Sequence, residues 1–298
     1  MLVSYFLLSI IITCNCVVLI LFSDKLNHLY CRTIESALMA GIHDIRLIGI
    51  STNNDANSRD NKFKKMFALL DELKENHEDN DIVIFADAYD VLFQKNIDTY
   101  ASDYVIFNGE NKCWPFVHPH PSIYNCPLMQ GDYYLDTKKT PLACKMSAEK
   151  AEKLDVHHGS SIFLNSGLSI GKVGVYKSIL EAAISLVPTL PPLCHDDQGI
   201  LAWLYLKDID YKIRIDYEQK LLISANRIHR SFIFWTDKGL WSFNGTFPIG
   251  IHFNGDKSHY HKFFENLKAS SMFDKNITYA RNVSVYGNQI KFEDFCPV

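Results

Sequence analysis

The chain has little excess charge of either sign and no basic stripe, so it lacks the surface with which nucleic-acid-binding proteins neutralise phosphates. Its 298 residues carry a formal net charge of −4, with the charges spread along the sequence. It also lacks the paired Cys-x-x-Cys spacing of a structural zinc site. Because it has no internal repeat, low-complexity segment or clear linker, we expect one main domain, residues 17–270, with residues 271–298 as a peripheral C-terminal segment.

Charge is also missing from the first 22 residues, a stretch long enough to cross a bilayer. Its last part, Val17 to Phe22, makes a good first strand, and one segment cannot be both a membrane span and a sheet strand. The conflict is resolved if residues 1–16 are a signal peptide with the small Cys14 and Cys16 before the cleavage point. An uncleaved anchor is the alternative, and membrane association is expected only in that case.

Two further features favour the secretory route. Glycosylation acceptor patterns begin at Asn244, Asn276 and Asn282. Without Cys14 and Cys16, an even number of cysteines remains, and an oxidising lumen would pair them without the sequence choosing the partners. These are Cys31, Cys113, Cys126, Cys144, Cys194 and Cys296. We therefore expect the protein in the endoplasmic reticulum lumen or Golgi, or secreted.

The alternation of apolar strands with amphipathic helices predicts an α/β fold. Predicted strands at about 45–50, 82–86 and 104–107 alternate with predicted helices at about 26–38 and 61–76. This order is typical of a Rossmann-like, mostly parallel central sheet flanked by helices. Gly41 is the predicted end of the first helix.

The alternation stops over residues 108–160, where one short helix near 147–154 interrupts a long irregular segment of the kind that forms functional loops or lids. Regular patterns return with apolar segments at 161–164 and 168–171, on either side of Asn165-Ser166-Gly167, and with predicted strands at 211–215, 221–224 and 232–235.

The most informative segment is Val83 to Phe93. The apolar run from Ile82 to Ala86 predicts a fully buried strand, and it ends in two carboxylates, Asp87 and Asp90. In open α/β sheets, ligands bind just beyond the carboxyl ends of the strands. Two acids on a tight turn there repel each other unless a cation neutralises them. The alternative is that Asp87 caps a helix and Asp90 is merely solvated.

A histidine later in the chain completes a candidate metal site. His252 lies in the apolar strand predicted at 248–253, although a lone histidine there is more often a satisfied core residue. Together with Asp87 and Asp90 it offers two oxygen donors and one imidazole, a mixture that Mn²⁺ accepts. Such a site could stabilise a leaving nucleoside diphosphate, and Lys257 could add a second positive charge.

The acidic pair Asp196 and Asp197 opens a predicted helix that runs to Leu206. Either carboxylate could orient an acceptor hydroxyl or take up its proton. Acids at a helix start are equally often caps that the helix dipole favours. Both interpretations stay open from the sequence.

Several motifs in order resemble the glycosyltransferase domain of the procollagen lysyl hydroxylases and their stand-alone relatives, over about Val17 to Leu267. They are Lys62 in the helix before the acidic strand, IVIFADAYDVLF at Ile82 to Phe93, ENKCWP at Glu110 to Pro115, FLNSGLSIG at Phe163 to Gly171, DDQ at Asp196 to Gln198, and IHFNG at Ile251 to Gly255. Each motif is weak alone, and their shared order makes chance an unlikely explanation.

The resemblance implies a GT-A fold, Mn²⁺, and UDP-glucose or UDP-galactose as donor. It implies retaining transfer of glucose, or galactose, to hydroxylysine-linked galactose, or hydroxylysine, of collagen-like or glycoprotein acceptors. The implied metal ligands are Asp87, Asp90 and His252. The implied donor contacts are Lys62, Tyr89, Gly255 and Lys257, and the implied catalytic and acceptor-side residues are Glu110, Trp114, Asn165, Asp196 and Asp197.

The sequence departs from the family pattern at several places. Ala88 replaces a serine between the two acids, and Leu168 and Phe253 replace glycines, so the pocket walls are expected to differ. Residues 256–258, Asp-Lys-Ser, shift Lys257 by one position from the usual lysine. The chain also ends too early for a hydroxylase domain, so it is expected to glycosylate existing hydroxylysine derivatives.

Two other functions compete with an active transferase. A catalytically silent GT-A module could bind glycans or collagen-like partners, although a binding module has no need of two acids, His252 and a second acidic pair together. A phosphatase of the haloacid dehalogenase type also places acids after a buried strand. That family has its aspartates two residues apart, whereas Asp87 and Asp90 are three apart.

Overall fold

The computed structural model describes residues 17–23, 29–49, 58–97, 100–115, 142–156, 161–189, 196–207, 211–226, 233–236, 241–243, 245–255, 257, 259–270, 281–285 and 287–296. The strands are β1 Val17–Phe22, β2 Asp44–Ile48, β3 Ile82–Asp87, β4 Val91–Phe93, β5 Val105–Glu110, β6 Phe163–Lys172, β7 Ile213–Asp216, β8 Leu222–Ser224, β9 Ile233–Trp235, β10 Trp241–Phe243, β11 Gly250–His252, β12 Asn282–Val285 and β13 Asn288–Lys291. The helices are α1 Leu29–Met39, α2 Ser58–Asn76, α3 Leu142–Lys153, α4 Val173–Leu186, α5 Asp197–Leu206, α6 Tyr260–Ala269 and α7 Phe292–Phe295.

The main sheet has the strand order β13-β12-β2-β1-β3-β6-β5-β8-β11-β4, with β7 paired to β5. Most neighbours run parallel, including β1 with β2 and β3, and β8 with β5 and β11. The predicted α/β architecture with a mostly parallel central sheet and flanking helices is therefore confirmed. Strands β9 and β10 form a separate antiparallel pair.

The centre of the sheet is buried on both faces, which explains the unbroken apolar runs of β1 and β3. Ile20 faces one core beneath α2, α4 and α5, whereas its neighbours Leu19 and Leu21 face a second core beneath α1. All three side chains are fully buried. Successive strand residues point to opposite faces of the sheet. An apolar residue is therefore needed at every position of these strands to fill both cores.

Helix α1 ends where the sequence predicts, at Gly41. The amide of Gly41 donates to the carbonyl of Leu38, and the amide of Ile42 donates to that of Ala37. This pair of bonds is the Schellman arrangement, which requires a left-handed residue, and Gly41 has φ +84°. After this helix end, the chain continues into β2.

Strand β6 differs from its prediction. The sequence suggests two apolar segments separated by Asn165-Ser166-Gly167, but the structure has one continuous strand through that triplet. The strand is antiparallel to both β3 and β5 and pairs with both, which compensates for the weak strand propensity of the three small and polar residues. The strands β4, β10, β12 and β13 are additions to the predicted set.

The segment predicted to be peripheral, residues 271–298, extends the sheet at its edge. Strand β12 pairs parallel to β2, and β13 pairs antiparallel to β12. A disulfide between Cys31 and Cys296 ties this segment to α1. A second disulfide joins Cys113 to Cys144.

Several predictions for the N-terminal region and the cysteines fall outside the described residues. These concern the signal peptide at 1–16 and the cysteines Cys14, Cys16, Cys126 and Cys194. Within the described part of the chain, none of the helices is both long and apolar enough to cross a membrane.

We expect Leu73→Ala to lower the free energy of unfolding by about 2–5 kcal/mol, because Leu73 is fully buried between α2 and the sheet and its loss leaves a cavity. Urea unfolding followed by circular dichroism measures the change. Leu154→Ala is the control, since that side chain is 58% exposed and should change the value little. Equal effects of the two substitutions would contradict the core described here.

Candidate functional site

A cavity of about 590 Å³ opens at the edge of the sheet where the parallel strands end. Strands β1, β3, β5 and β11 contribute the residues at or just beyond their carboxyl ends, and β6 contributes Asn165, Ser166 and Gly167. Because β6 runs antiparallel to its neighbours, the amino-terminal half of this strand reaches the same edge. The volume lies within the usual range of about 300–1,000 Å³ for small-molecule sites.

Asp87, Asp90 and His252 come together at one side of this cavity, with one potential ligand atom from each within 4.8 Å of the others. The Nε2 atom of His252 lies 3.3 Å from Asp90 Oδ1 and 3.9 Å from Asp87 Oδ2. The turn that carries the two acids is held by backbone bonds, from Ala88 N to Phe22 O at 3.1 Å and from Phe253 N to Asp90 O at 2.7 Å. The three predicted metal ligands therefore form one cluster.

The hydrogen bonds of His252 suit a metal ligand. Its Nδ1 lies 2.9 Å from Asn165 Oδ1, and the same amide oxygen accepts a bond from Gly167 N at 2.9 Å. Because that oxygen can only accept, Nδ1 carries a proton, and Nε2 is the ring nitrogen that faces the two carboxylates. Such a partner for the second ring nitrogen is typical of metal-binding histidines.

Burial and unlike charges act against each other in the cluster, and at Asp87 burial prevails and raises the pKa of the carboxyl. Burial opposes ionisation of Asp90, but the charges and hydrogen bonds of His252 and Lys257 outweigh it and hold the pKa of Asp90 at about 2. Burial also opposes a positive charge on His252, yet Asp90 and Asp87 raise the pKa of this imidazole above its usual value. Two carboxylates and one imidazole are a donor set that suits Mn²⁺.

Lys65 is a site residue that the sequence analysis missed. Its Nζ lies 2.7 Å from Asp87 Oδ1 and 3.2 Å from Asp197 Oδ2, and it donates to the carbonyl of Ser166 at 3.2 Å. Burial alone would lower the pKa of Lys65, but the carboxylates of Asp197 and Asp87 raise it well above its usual value. Lys65 thus connects a metal ligand to the predicted acceptor side.

The predicted donor contacts surround the metal cluster on the other side. Lys257 Nζ lies 3.4 Å from Asp90 Oδ2. Gly255 lines the cavity with φ +83°, a left-handed conformation that glycine adopts without strain. Tyr89 also lines the cavity, and its hydroxyl lies 2.6 Å from that of Ser23 at the end of β1.

Glu110 lines the same cavity and forms the centre of a polar network. Gln198 Nε2 donates to Glu110 Oε1 at 2.6 Å, and Asn254 Nδ2 donates to Glu110 Oε2 at 2.9 Å. Burial raises the pKa of Glu110, although these amide donors oppose the shift. The same Gln198 amide donates to the carbonyl of Trp114, which lies next to the disulfide-bonded Cys113. The network holds the loop after β5 against the start of α5.

The two adjacent aspartates at the start of α5 have different environments. Asp196 is the N-cap of the helix, and its Oδ1 accepts a bond from Gly199 N at 3.0 Å. Asp197 lines the cavity and accepts a bond from Ser166 Oγ at 2.7 Å. The capping role that the sequence left open therefore belongs to Asp196, while Asp197 faces the cavity.

Most of the predicted site residues line this one cavity. They are Asp87, Tyr89, Asp90, Glu110, Trp114, Asn165, Asp197, His252, Gly255 and Lys257. Asp196 is not among the lining residues, and the side chain of Lys62 lies outside the described part of the structure. The sequence signal for a positively charged side chain beside Asp87 is the cluster of lysines near the start of α2, which includes Lys62 and Lys65.

Comparisons with known proteins give structural similarity only. No family model and no curated protein matches the chain. A glycosyltransferase involved in the glycosylation of the major capsid of PBCV-1 has 11% identity and a TM-score of 0.47 over 85% of this chain and 99% of that chain. The galactosyltransferase LgtC, solved with donor and acceptor sugar analogues, has 13% identity and a TM-score of 0.43 over 87% of this chain and 98% of that chain. The function is therefore argued from the cavity itself.

We expect Gly167→Ala to weaken Mn²⁺ binding at least about tenfold. A β-carbon at Gly167 would lie 2.1 Å from His252 Cε1 and 2.8 Å from Asp87 Oδ2, so the cluster must shift to admit it. Mn²⁺ titration followed by electron paramagnetic resonance measures the affinity. Gly174→Ala is the control, because the atoms nearest to its β-carbon would belong to Asp79, at 3.0 Å or more, and not to the metal cluster. Unchanged Mn²⁺ affinity in a folded Gly167→Ala protein would contradict the proposed ligand cluster.

Proposed function

We propose that the chain is a Mn²⁺-dependent glycosyltransferase of the GT-A type that uses a UDP-sugar donor. One observation carries the proposal: Asp87, Asp90 and His252 lie within 4.8 Å of one another in a cavity of substrate size, beside Lys257. Mn²⁺ bound there would stabilise the negative charge that develops on the leaving diphosphate. The shared order of motifs with the collagen hydroxylysine glycosyltransferases supports the same assignment.

The lysines of the cavity have separate tasks in this proposal. Lys257 is half-exposed and lies at the open side of the metal cluster, where it can bind a diphosphate oxygen. Lys65 is buried and paired with Asp87 and Asp197, so it orders the two carboxylates before substrate arrives. The site is thereby preorganised and needs little rearrangement during the reaction.

The reaction transfers the sugar from one oxygen to another. The bond between the anomeric carbon and the phosphate oxygen breaks, and its electron pair leaves on UDP. The acceptor hydroxyl oxygen forms the new bond to the anomeric carbon, and its proton passes to the phosphate oxygen from which the sugar departs. Asp197 is held by Lys65 and Ser166, which suits it to orient sugar hydroxyls, and Glu110 is fixed by two amide donors beside Trp114.

The finer parts of the proposal follow the motif resemblance. We propose UDP-glucose or UDP-galactose as donor, retention at the anomeric carbon, and a hydroxylysine-linked galactose or hydroxylysine of a collagen-like or glycoprotein acceptor. The two disulfides support an oxidising compartment, and we propose the endoplasmic reticulum lumen or Golgi, entered through the signal peptide at 1–16.

We expect UDP release from UDP-glucose or UDP-galactose to require Mn²⁺ and to rise when a galactosyl-hydroxylysine peptide is added. Asp90→Asn should lower this activity at least about a hundredfold, because the metal loses a charged ligand. Asp103→Asn is the control, since Asp103 is an exposed carboxylate paired with Lys172. Nucleotide binding without turnover would favour the silent binding module, and absence of nucleotide binding would refute the glycosyltransferase assignment.

We expect Lys65→Met to lower transfer about a hundredfold without weakening Mn²⁺ binding. The substitution removes a positive charge next to Asp87, so the attraction for Mn²⁺ does not fall, but Asp197 loses the partner that positions it. Kinetics and Mn²⁺ titration on the same preparation separate the two effects. Lys172→Met, which removes a surface ion pair, should change neither quantity. Equal losses of metal affinity and turnover would contradict the assigned role of Lys65.

A further inference from the structure

The segment that carries the two acidic metal ligands packs against α1 through buried hydroxyl groups. Thr33 and Ser36 are both fully buried, and they lie three residues apart on the face of α1 that meets this segment. The helix contains apolar residues on the same side, such as Ile34 and Ala37, which pack into the core beneath the sheet. Apolar packing therefore does not account for these two buried hydroxyl groups.

Thr33 contacts the turn between the two ligands. Its Oγ1 donates to the carbonyl of Ala88 at 2.8 Å. The amide of the same Ala88 donates to Phe22 O at 3.1 Å, so both backbone polar groups of the residue after Asp87 are fixed. Since the Ala88 peptide lies between Asp87 and Asp90, its orientation determines how the two carboxylates face His252.

Ser36 fixes the far end of the same segment. Its Oγ accepts a bond from Phe93 N at 3.0 Å and donates to the carbonyl of Thr33 at 2.8 Å. Helix α1 thus holds residues 87–93 at two points, one beside each end, and the two points are linked through the Thr33 carbonyl. If the buried Ala88 carbonyl lost the Thr33 hydroxyl, it would remain unsatisfied or have to accept a hydrogen bond from another donor. The turn would move to form that new bond.

We propose that Thr33 is a positioning residue for the metal centre, which acts through the Ala88 carbonyl and touches neither metal nor substrate. The inference rests on the proposed Mn²⁺ site. It extends the proposed function because Thr33 lies outside the cavity and belongs to none of the motifs that carry the family resemblance. Helix α1, which also covers one face of the sheet, then sets the distance between the two acidic ligands.

Thr33→Val tests the proposal, because valine keeps the branched shape of threonine and removes its hydroxyl, which donates to the Ala88 carbonyl and also interacts with the side chain of Tyr260. We expect Mn²⁺ to bind this variant about tenfold more weakly in an electron paramagnetic resonance titration of the full chain. Thr33→Ser restores the hydroxyl and should bring the affinity back to within about threefold of the wild type. Thermal unfolding of each protein is measured in parallel.

Ser147→Ala is the matched control for loss of a buried helical hydroxyl. Ser147 is buried in α3, and its Oγ donates to the carbonyl of Ala143, away from the metal cluster. This control should leave Mn²⁺ affinity unchanged even if it lowers the melting temperature. The positioning role predicts the opposite pattern for Thr33→Val, a loss of Mn²⁺ affinity that exceeds any change in the control.

The outcomes distinguish the positioning role of Thr33 from the proposed glycosyltransferase function. Wild-type affinity in a folded Thr33→Val protein, or a lower melting temperature with unchanged affinity, overturns the positioning role and leaves the glycosyltransferase assignment intact. A Thr33→Ser protein as weak as Thr33→Val also overturns it, because the hydroxyl would then not be the cause. Failure of the wild type to bind Mn²⁺ overturns both proposals together.

Discussion

Repulsion among carboxylates is the constraint on which the rest of the site depends. Asp87, Asp90, Glu110 and Asp197 line one cavity at the edge of an apolar sheet, where burial makes each negative charge costly. Different groups compensate these negative charges. Lys65 pairs with Asp87 and Asp197, His252 and Lys257 lie beside Asp90, and amide groups bind both oxygens of Glu110. Asp87 and Asp90 lie with His252 in a cluster that could hold a divalent cation.

The antiparallel strand β6 is what brings these groups within reach of one another. In a wholly parallel sheet, only strand ends and the loops beyond them would reach this edge. Strand β6 runs the other way between β3 and β5, so residues inside a strand take part as well. Asn165 thereby orients His252, and Gly167 leaves room for its ring. A rigid strand holds these positions more closely than a loop would.

The sequence predicted those parts of the structure that have a local signal. The apolar run that ends in Asp87 and Asp90 predicts a central strand with two acidic side chains at its carboxyl end. Gly41 predicts the end of α1. His252 has no distinctive local pattern, because a lone histidine in an apolar strand is more often a core residue, and it became a candidate ligand through its donor chemistry beside Asp87 and Asp90 and through the IHFNG motif. The confirmed parts are thus the strand-helix alternation and the clustering of the three candidate ligands.

The parts that the sequence could not predict depend on packing between elements. Lys62 and Lys65 lie only about 60° apart around a helix axis, so the sequence alone could not say which lysine reaches Asp87. Asp196 and Asp197 are adjacent, and only the angle of α5 decides which one caps the helix and which one faces the cavity. Strand β6 was divided at Asn165 because strand propensity is weak there, and pairing on both sides overrode it.

The disulfide between Cys31 and Cys296 makes most of the domain a covalent ring. Every residue that lines the cavity, except Phe22, lies between these two cysteines. A protease that cut one exposed loop within the ring would therefore leave two pieces that stay joined, with the halves of the site held at high effective concentration. Reduction of that bond removes this link, except after a cut between Cys113 and Cys144, which the second disulfide also bridges. In the oxidised protein a single cut inside the ring therefore leaves the two pieces covalently joined, whereas the same cut divides an open chain.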